Sequence, residues 1–495
     1  MTGTHAMHLA SLPDRRAALD PQGASVSDGR QSLTNTQLLN RVRAAARHLQ
    51  DLGISSGDVV ALKLSNRVEF VILLFASWRL GATVTPINPR LNGVEVGRQL
   101  DDSDARLIVV EECTTGEGDI TTISVADLYV EAAVQDRTPV PDPSALALLI
   151  YTSGTTGVPK GVMLDHANIE AMTDMIHNAL ELRPTDRSLL VLPLFHVNGV
   201  LVSVLTPLLA GASVVIADRF DPHTFFDVVE RERPTFFSAV PTIYNVLAAL
   251  PDTVRPDTSS VRFGICGSAP APADLLTRFE ARYGFPLIEG YGLSETTCAC
   301  TLNPLAGPRR AGTVGLPLPG QEIRVVDRRG TTLGPGETGE ILVRGANVMR
   351  GYLGRPGESA HTVIDGWLHT GDMGHLDAEG YLTLVGRSKD MIIRGGENIY
   401  PKEIEDVLAG DPSVLEVAVI GVPDEKWGEV VVAHVQPRPG LTVDPAGLEA
   451  LCARSLSGYK RPTEYVVVQA IPKNDVGKID KVSVRAAHAA AFAGA

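Results

Sequence analysis

The sequence is poor in cysteine and carries no excess of positive charge. Its 495 residues include five scattered cysteines, an odd number that does not make a disulfide framework, so a reducing compartment is expected. The formal net charge of −14 argues against a broad nucleic-acid or anionic-membrane surface. Cys298 and Cys300 form a C-x-C without a second Cys/His pair at metal-site spacing, which predicts a small buried pair.

The sequence also shows no recognisable targeting signal and no uninterrupted membrane-spanning run. The first residues lack a basic stretch followed by an apolar core, and the last carry no peroxisomal tripeptide. Residues 197–217 hold no charge and are long enough to span a bilayer, but Gly199, Pro207 and Gly211 interrupt them. A buried helix, a turn and a buried strand are predicted there. We expect a cytoplasmic protein with no integral membrane segment and no nucleic-acid partner.

Helical and strand patterns alternate through the first three hundred residues of a chain too long for one core. Thr34 and Gln37 form a capping box before a helix that ends by Gly53. Strand patterns occur at 59–64, 106–110, 145–150, 189–192, 213–217, 235–240, 262–266 and 286–289. This alternation predicts the α/β class, with parallel sheets covered on both faces. Short strands and Gly/Pro turns predict a β-rich subdomain at about 312–386, and a separate α+β pattern follows residue 387.

The stretch YTSGTTGVPKG, residues 151–161, predicts a phosphate-binding loop. It holds three glycines, four Ser/Thr hydroxyls and Lys160 in eleven residues, directly after an apolar strand pattern. Glycines allow backbone N–H groups to turn towards an anion, and the lysine adds a positive charge. The stretch is not a Walker A loop, because Pro159 precedes the lysine and Gly161 follows it.

Further candidates follow strand patterns, where loops of parallel α/β sheets carry their chemistry. A lone His196 after a strand is more often structural, and a lone Lys478 in a loop is more often solvated. Gly267–Ala269 form a small-residue turn that fits a flat ring. The other candidates are Tyr291 as an aromatic face, Glu295 as a Mg²⁺ ligand, and Asp372 with Arg387 as ribose ligands.

Seven motifs occur together, in the order and spacing of one known family. They are YTSGTTGVPKG, PLFHVNG, GSAP, GYGLSETT, WLHTGDMG, GRSKDMIIRGGENIYPKEIE and PKNDVGKID. Over about residues 30–485 the chain resembles the acyl-adenylate-forming superfamily of acyl-CoA synthetases, peptide-synthetase adenylation domains and firefly-type luciferases. The resemblance implies an AMP-forming acid–CoA ligase of the fatty-acid–CoA ligase branch. Its substrates would be ATP, CoA and a carboxylic acid, with Mg²⁺ as cofactor and the oligomeric state open between monomer and homodimer.

The resemblance also implies a role for each candidate. Lys478, His196, Thr152 and Glu295 would be catalytic, with Glu295 holding Mg²⁺ and Lys478 bridging the carboxylate and the α-phosphate. The nucleotide site would comprise Thr152, Ser153, Gly154, Thr155, Thr156, Gly157, Lys160, Gly267, Ser268, Ala269, Tyr291, Gly292, Thr296, Asp372, Arg387 and Lys478.

A moving C-terminal domain is a further implication. The resemblance places an N-terminal domain at 1–387, a hinge at 388–390 centred on Lys389, and a small mobile α+β domain at 391–495. Rotation would withdraw Lys478 after adenylation and present Gly395, Gly396 and Glu397 as a tunnel for the CoA arm. The two glycines by themselves are also consistent with a simple turn.

The identity of the carboxylic acid is the least determined part of the predicted function. The resemblance places the acyl pocket at His196, Val197, Asn198, Gly199, Val240, Thr242 and Gly290. None of these is Lys or Arg, and malonate-activating relatives have Arg where this chain has Gly290, which favours an apolar fatty or aryl monocarboxylate. Arg309 or Arg310 keeps a small diacid, of the oxalyl or malonyl type, as an alternative. Loading of a carrier protein, a luciferase-like oxygenase and a non-catalytic nucleotide sensor are the competing functions.

Overall fold

A computed structural model describes residues 8–112, 120–128, 139, 142–152, 159–269, 271, 273–395, 397–473 and 478–492. The chain forms two compact units: unit 1 comprises Met1–Ile323 and Val343–His369, and unit 2 comprises Arg324–Leu342 and Thr370–Ala495. The domain limits expected from the sequence, 1–387, 388–390 and 391–495, stay predictions, because compactness does not locate a hinge. In the described part of the chain no helix combines the length and apolarity needed to cross a bilayer.

Unit 1 contains a nine-stranded sheet in the order β15-β14-β13-β12-β11-β9-β10-β1-β2. Its strands are β1 (Ala24–Ser27), β2 (Ser32–Thr34), β9 (Arg187–Leu190), β10 (Ser213–Ile216), β11 (Phe236–Ala239), β12 (Phe263–Cys266), β13 (Leu287–Tyr291), β14 (Thr301–Leu302) and β15 (Leu316–Pro317). The pairs from β1 through β10, β9, β11, β12 and β13 are parallel. Their carboxyl ends therefore lie along one edge.

A seven-stranded sheet in the order β18-β8-β7-β4-β3-β5-β6 forms the second layer of unit 1. Its strands are β3 (Val59–Lys63), β4 (Thr83–Pro86), β5 (Ala105–Val110), β6 (Thr121–Ser124), β7 (Leu146–Thr152), β8 (Lys160–Asp165) and β18 (Gly351–Tyr352). Its central strands are buried on both faces, as continuous apolar runs such as LALLI of β7 require.

Helices cover the sheets of unit 1. They are α1 (Leu12–Leu19), α2 (Asn35–Asp51), α3 (Val68–Arg79), α4 (Gly93–Ser103), α5 (His166–Ala179), α6 (Val197–Val200), α7 (Thr206–Leu209), α8 (Phe225–Glu232), α9 (Pro241–Ala248), α10 (Ala273–Tyr283) and α11 (Pro356–Thr362). The predicted capping box of Thr34 and Gln37 is present at the start of α2. The uncharged stretch 197–217 forms buried α6, a π-helical turn at Leu201–Leu205, α7 and strand β10, as expected. Cys298 and Cys300 are buried.

Unit 2 contains two further sheets. The first has the order β16-β17-β20, with β21 paired to β20; the second has the order β23-β22-β25-β24, with β26 paired to β25. The strands are β16 (Glu322–Val326), β17 (Gly339–Arg344), β20 (Trp367–Leu376), β21 (Leu382–Arg387), β22 (Ile392–Arg394), β23 (Glu397–Ile399), β24 (Val414–Asp424), β25 (Gly428–Pro437) and β26 (Glu464–Val467), and the helices are α12 (Pro401–Ala409), α13 (Pro445–Ser455) and α14 (Lys481–Phe492). The short β19 (Val363–Ile364) pairs with the first residues of β20. The predicted α/β class, with layered sheets and a separate C-terminal α+β part, is confirmed.

Candidate active site

Four predicted site segments follow four neighbouring parallel strands of unit 1. His196 follows β9, Val240 follows β11, Gly267 follows β12, and Tyr291 ends β13. These strands lie side by side, since β9 pairs with β11, β11 with β12 and β12 with β13. Loops beyond the carboxyl ends of parallel strands are where α/β proteins bind ligands. The fold therefore brings the predicted acyl and adenine segments to one edge.

The small-residue turn after β12 lies beside β13, as a ring-binding slot requires. The Gly267 N–H donates to the Ala239 carbonyl at 3.3 Å, and a Cβ added to Gly267 would lie 3.6 Å from the Gly290 carbonyl. Ser268 adopts the left-handed backbone conformation, with φ of 67°, which turns the chain sharply at that point. The turn exposes Ser268 while Tyr291 is almost buried. Gly292 is sterically required, because any Cβ there would collide with the Cys298 carbonyl.

The predicted phosphate loop connects the two strands of a β-hairpin. β7 and β8 are antiparallel, and Thr152 pairs directly with Lys160. Ser153, Gly154, Thr155, Thr156 and Gly157 lie outside the described residues. The hairpin places the hydroxyl-bearing and the cationic end of the loop opposite each other.

Lys160 belongs to a charged cluster that the sequence did not reveal. Its Nζ forms an ion pair with Glu358 and lies 5.1 Å from the centre of the Tyr352 ring. The Tyr352 hydroxyl donates to Glu295 Oε1 at 2.9 Å. Burial and the Glu295 carboxylate raise the pKa of Tyr352, so the hydroxyl stays protonated and keeps donating. Lys160 and Glu295, 135 residues apart, thus share one neighbour.

Backbone contacts fix the short helical turn that carries Glu295 and Thr296. The Met349 N–H donates to the Glu295 carbonyl at 2.9 Å, and Asn347 Nδ2 donates to the Thr296 carbonyl at 3.0 Å. Thr297, with φ of 66°, donates its hydroxyl proton to the Asn347 carbonyl at 2.6 Å. Thr296 and Asn347 are fully buried. The Glu295 carboxylate therefore projects from a rigid support.

The donor chemistry around Glu295 fits Mg²⁺. Among the described residues no three His, Cys, Asp or Glu side chains are grouped to hold a metal ion by themselves. Mg²⁺ commonly takes one or two carboxylates and completes its shell with waters and substrate phosphates. The Tyr352 hydroxyl contacts Oε1 of Glu295. A single carboxylate, connected through Tyr352 to Lys160 at the end of the predicted phosphate loop, is a fitting donor.

The predicted acyl-pocket residues have mixed surroundings. Val197 is buried, His196, Asn198 and Val240 are half-buried, and Thr242 is exposed. The His196 ring packs on Phe195 with centres 4.4 Å apart. Asn198 Oδ1 is buried and accepts no hydrogen bond from the described residues. Two glycines face backbone: a Cβ on Gly199 would lie 2.6 Å from the Pro193 carbonyl, and one on Gly290 2.9 Å from the Thr301 carbonyl.

Because Gly290 is packed against a neighbouring strand, a larger residue there does not measure the size of the predicted acyl pocket. A larger side chain there would press on β14 instead of projecting into open space, since Leu302 Cδ1 also lies 2.9 Å from the added Cβ. Gly290→Leu would therefore shift a strand and report on stability. Arg309, one of the two arginines that keep a small diacid as an alternative, lies 3.5 Å from Glu280 on α10.

Unit 2 brings the two predicted ribose ligands together. Asp372 on β20 pairs directly with Arg387 on β21, and Arg387 Nε lies 2.8 Å from Asp372 Oδ1. Asp372 is buried, and its N–H donates to Thr370 Oγ1 at 3.0 Å, whereas the Arg387 side chain is half exposed. The arrangement offers one fixed acceptor and one accessible cation.

The predicted hinge, tunnel and lysine all lie in exposed segments of unit 2. Lys389 is the middle residue of a short 3₁₀ turn. Gly395, with φ of 59°, begins the turn between β22 and β23, where Arg394 pairs with Glu397, and a Cβ on it would lie 2.9 Å from Trp427. A turn is thus observed at Gly395, whereas Gly396 lies outside the described residues. Lys478 is exposed, immediately before a bridge of Ile479 with Lys473.

Comparison with known proteins shows the family to which the chain belongs. The family model described as "AMP-binding enzyme" matches residues 7–353, and that of the "AMP-binding enzyme C-terminal domain" matches residues 403–478. Feruloyl-CoA synthase of Amycolatopsis sp. is 39% identical, covering 96% of this chain and 98% of that protein. Oxalate–CoA ligase of Arabidopsis thaliana is 38% identical, covering 95% of each.

A solved structure gives the same result at the level of the fold. The o-succinylbenzoate CoA synthetase of Bacillus subtilis, in complex with its acyl-adenylate intermediate, has a TM-score of 0.87 and 32% identity, covering 96% of this chain and 98% of that one. The similarity extends through both units. The chain belongs to the AMP-binding enzyme family, as an ATP-dependent, AMP-forming acid–CoA ligase.

Proposed function

We propose that this ligase activates an aryl or other apolar monocarboxylate. The supporting observation is the edge of unit 1 where His196, Val240, Gly267 and Tyr291 follow adjacent strands without a lysine or arginine among the predicted pocket residues. A second substrate carboxylate buried there would lack a partner, which is costly. The buried Asn198 oxygen, which accepts no hydrogen bond within the described part of the chain, favours an aryl acid with a hydroxyl or N–H group over a plain fatty acid.

We infer two half-reactions on this scaffold. In the first, a carboxylate oxygen attacks the α-phosphorus of ATP, and pyrophosphate leaves with the electrons of the broken P–O bond. Thr152, Lys160 and Thr296 would hold the phosphates, while Lys478 would bridge the carboxylate and the α-phosphate. Positive charge at oxygens that gain charge in the transition state is the largest available aid.

The second half-reaction uses the thiol of CoA. Its sulfur attacks the acyl carbon and gives up the thiol proton to water, and AMP leaves with the electrons of the bond between the acyl carbon and the phosphate oxygen. The adenine would lie between Tyr291 and the Gly267–Ala269 turn in both steps, with Asp372 and Arg387 at the ribose. We propose that the C-terminal segment turns about Lys389 between the steps and that Gly395–Glu397 then line the path of the CoA arm.

Glu295 is the proposed Mg²⁺ ligand, and bound Mg²⁺ would neutralise charge on the phosphate oxygens. The supporting observation is that the Glu295 carboxylate accepts from the Tyr352 hydroxyl at 2.9 Å, and that the Tyr352 ring lies 5.1 Å from Lys160 Nζ. We also propose a cytoplasmic location, which the scattered cysteines favour because disulfides are not needed.

A panel of acids tests the proposed substrate class. We expect pyrophosphate release with ferulate, indoleacetate or benzoate to exceed that with oxalate, malonate or succinate by about 100-fold in kcat/KM, because desolvating an unpaired charge costs several kcal/mol. Butyrate and hexanoate should fall between. A diacid at the top of the ranking would contradict the proposal and point to Arg309 or Arg310.

Glu358→Gln tests the role of Lys160 in ATP binding. Glu358 forms an ion pair with Lys160, and we expect it to compete with the phosphates for the ammonium group. Lys160 and the neighbouring Arg355 lower the pKa of Glu358, so its negative charge is present at neutral pH. Removing a partly exposed competitor of this kind should lower KM for ATP about two- to fivefold, with little change in KM for the acid. An unchanged or raised KM for ATP would contradict this role.

A further inference from the structure

The two ends of the loop that carries Lys478 are joined to each other. Lys473 and Ile479 form an antiparallel bridge, and the Asp480 N–H donates to the Pro472 carbonyl at 2.9 Å. Lys478 is therefore one residue from a hydrogen-bonded closure. The position of this closure on the C-terminal sheet therefore restricts the positions that Lys478 can occupy.

Helix α14 starts immediately after the closure and is fixed in its first turn. Asp480 caps it, accepting from the Val482 and Ser483 N–H groups at 3.1 and 3.3 Å. Val484 is 1% exposed and packs in an apolar cluster with Ile420, Val432 and Ile471. The helix start cannot slide without exposing Val484 or breaking this cap.

Two ion pairs tie the loop to the layer formed by β24 and α12. On the C-terminal side, Lys481 Nζ lies 2.7 Å from Glu405 Oε1, and the two side chains are only 17% and 16% exposed. The same Glu405 oxygen accepts from the Val419 N–H of β24 at 2.9 Å. On the N-terminal side, Lys473 Nζ lies 2.7 Å from Glu416 Oε1. Partly buried pairs of this kind are screened less than surface pairs.

We propose that the Lys481–Glu405 pair positions Lys478 for adenylation. Lys481 is three residues from Lys478, within about 10 Å along the chain, so its attachment limits the reach of the lysine. Glu405 contacts both Lys481 and the β24 backbone, and it thereby couples the loop to the sheet. This inference rests on the proposed role of Lys478, and Glu405 acts through Lys481 without touching a substrate.

The test compares half-reactions in Glu405→Gln and Lys481→Met. We expect kcat of adenylation to fall about 10- to 100-fold, as for a misplaced catalytic group, with KM for ATP changed less than about twofold. Thioester formation from supplied acyl-adenylate should remain at the wild-type rate. Lys481→Arg should restore most of the adenylation rate. Asp406→Asn, which removes an exposed ion pair of Lys402 on the same helix, is the matched control and should leave both rates unchanged.

The outcomes separate this inference from the proposed function. Equal losses in both half-reactions, or a loss in Glu405→Gln no larger than in Asp406→Asn, would overturn the positioning role. Lys478→Ala is measured in parallel: if it lowers adenylation while Glu405→Gln does not, the positioning role alone is wrong. If Lys478→Ala affects neither half-reaction, the proposed function of Lys478 is wrong as well. Thermal midpoints of all variants within a few degrees of wild type show that folding is not the cause.

Discussion

Replacing Lys478 with alanine is expected to lower the rate of adenylation by a factor on the order of 10²–10³, which is the usual cost of one lost charged contact to a transition state. The residue is exposed at the end of a loop whose base is closed by the Lys473–Ile479 bridge, so alanine removes a charge without opening the core. Thioester formation from supplied acyl-adenylate should be nearly unchanged, because the lysine is proposed to act only in the first step. Pyrophosphate release and acyl-adenylate consumption measure the two rates separately.

Lys402→Ala is the control for a general loss of positive charge from the C-terminal segment. Lys402 lies on α12, where its ammonium group forms an ion pair with Asp406 one turn later. Both half-reactions should proceed at the wild-type rate in this variant. Equal loss of both half-reactions in Lys478→Ala would contradict the alternation of the C-terminal segment between the two steps.

Glu295→Gln is expected to lower adenylation by a factor on the order of 10² and to shift the Mg²⁺ dependence to higher concentration. The amide keeps the shape of the side chain and can still accept from Tyr352, but it lacks the charge that a Mg²⁺ ligand supplies. Pyrophosphate exchange over a Mg²⁺ titration measures both effects. Tyr352→Phe keeps the ring beneath Lys160, and we expect a smaller loss of about tenfold because only the support of Glu295 is removed.

Glu322→Gln is the matched control, since Glu322 forms an exposed pair with Arg344. It should leave the Mg²⁺ dependence unchanged. A Glu295→Gln enzyme with the Mg²⁺ dependence of the wild type would contradict the assignment of Glu295 as the ligand, whatever its overall rate.

The parallel edge of unit 1 could be predicted because its determinants are local in sequence. Largely apolar strand patterns of four to six residues, each followed by a glycine or a proline, indicated β9, β11, β12 and β13 within one or two residues of their observed limits. Adjacent parallel strands then put their following loops at one edge without any knowledge of side-chain packing. The candidate residues His196, Gly267 and Tyr291 follow from that rule.

The cluster around Lys160 could not be predicted because it depends on pairing across long sequence separations. Tyr352 reaches Lys160 only because the two-residue strand β18 pairs with β8, from nearly two hundred residues away. A strand of two residues has no periodicity to read. The stretch RGYLGRPGES, with a tyrosine between glycines, was the available signal for Tyr352 and Glu358.

The surroundings of Gly290 could not be predicted, for a related reason. The atoms that a side chain at position 290 would meet depend on the neighbouring strand. At this end β13 pairs with the two-residue strand β14. The antiparallel partner brings the Thr301 carbonyl to 2.9 Å from the missing Cβ. The glycine therefore reflects close strand packing, which the sequence pattern GYG does not distinguish from room for a substrate.

Whether this chain makes an acyl-adenylate and passes the acyl group to CoA is decided by the products formed from ATP and the best acid of the panel. These products are measured with CoA, with a holo-carrier protein, and with neither acceptor. With CoA present we expect pyrophosphate and AMP in equal amounts and one acyl-CoA thioester for each AMP. Formation of ADP and phosphate would contradict adenylation. Pyrophosphate release that loads the carrier protein but leaves CoA unacylated would contradict CoA as the acceptor.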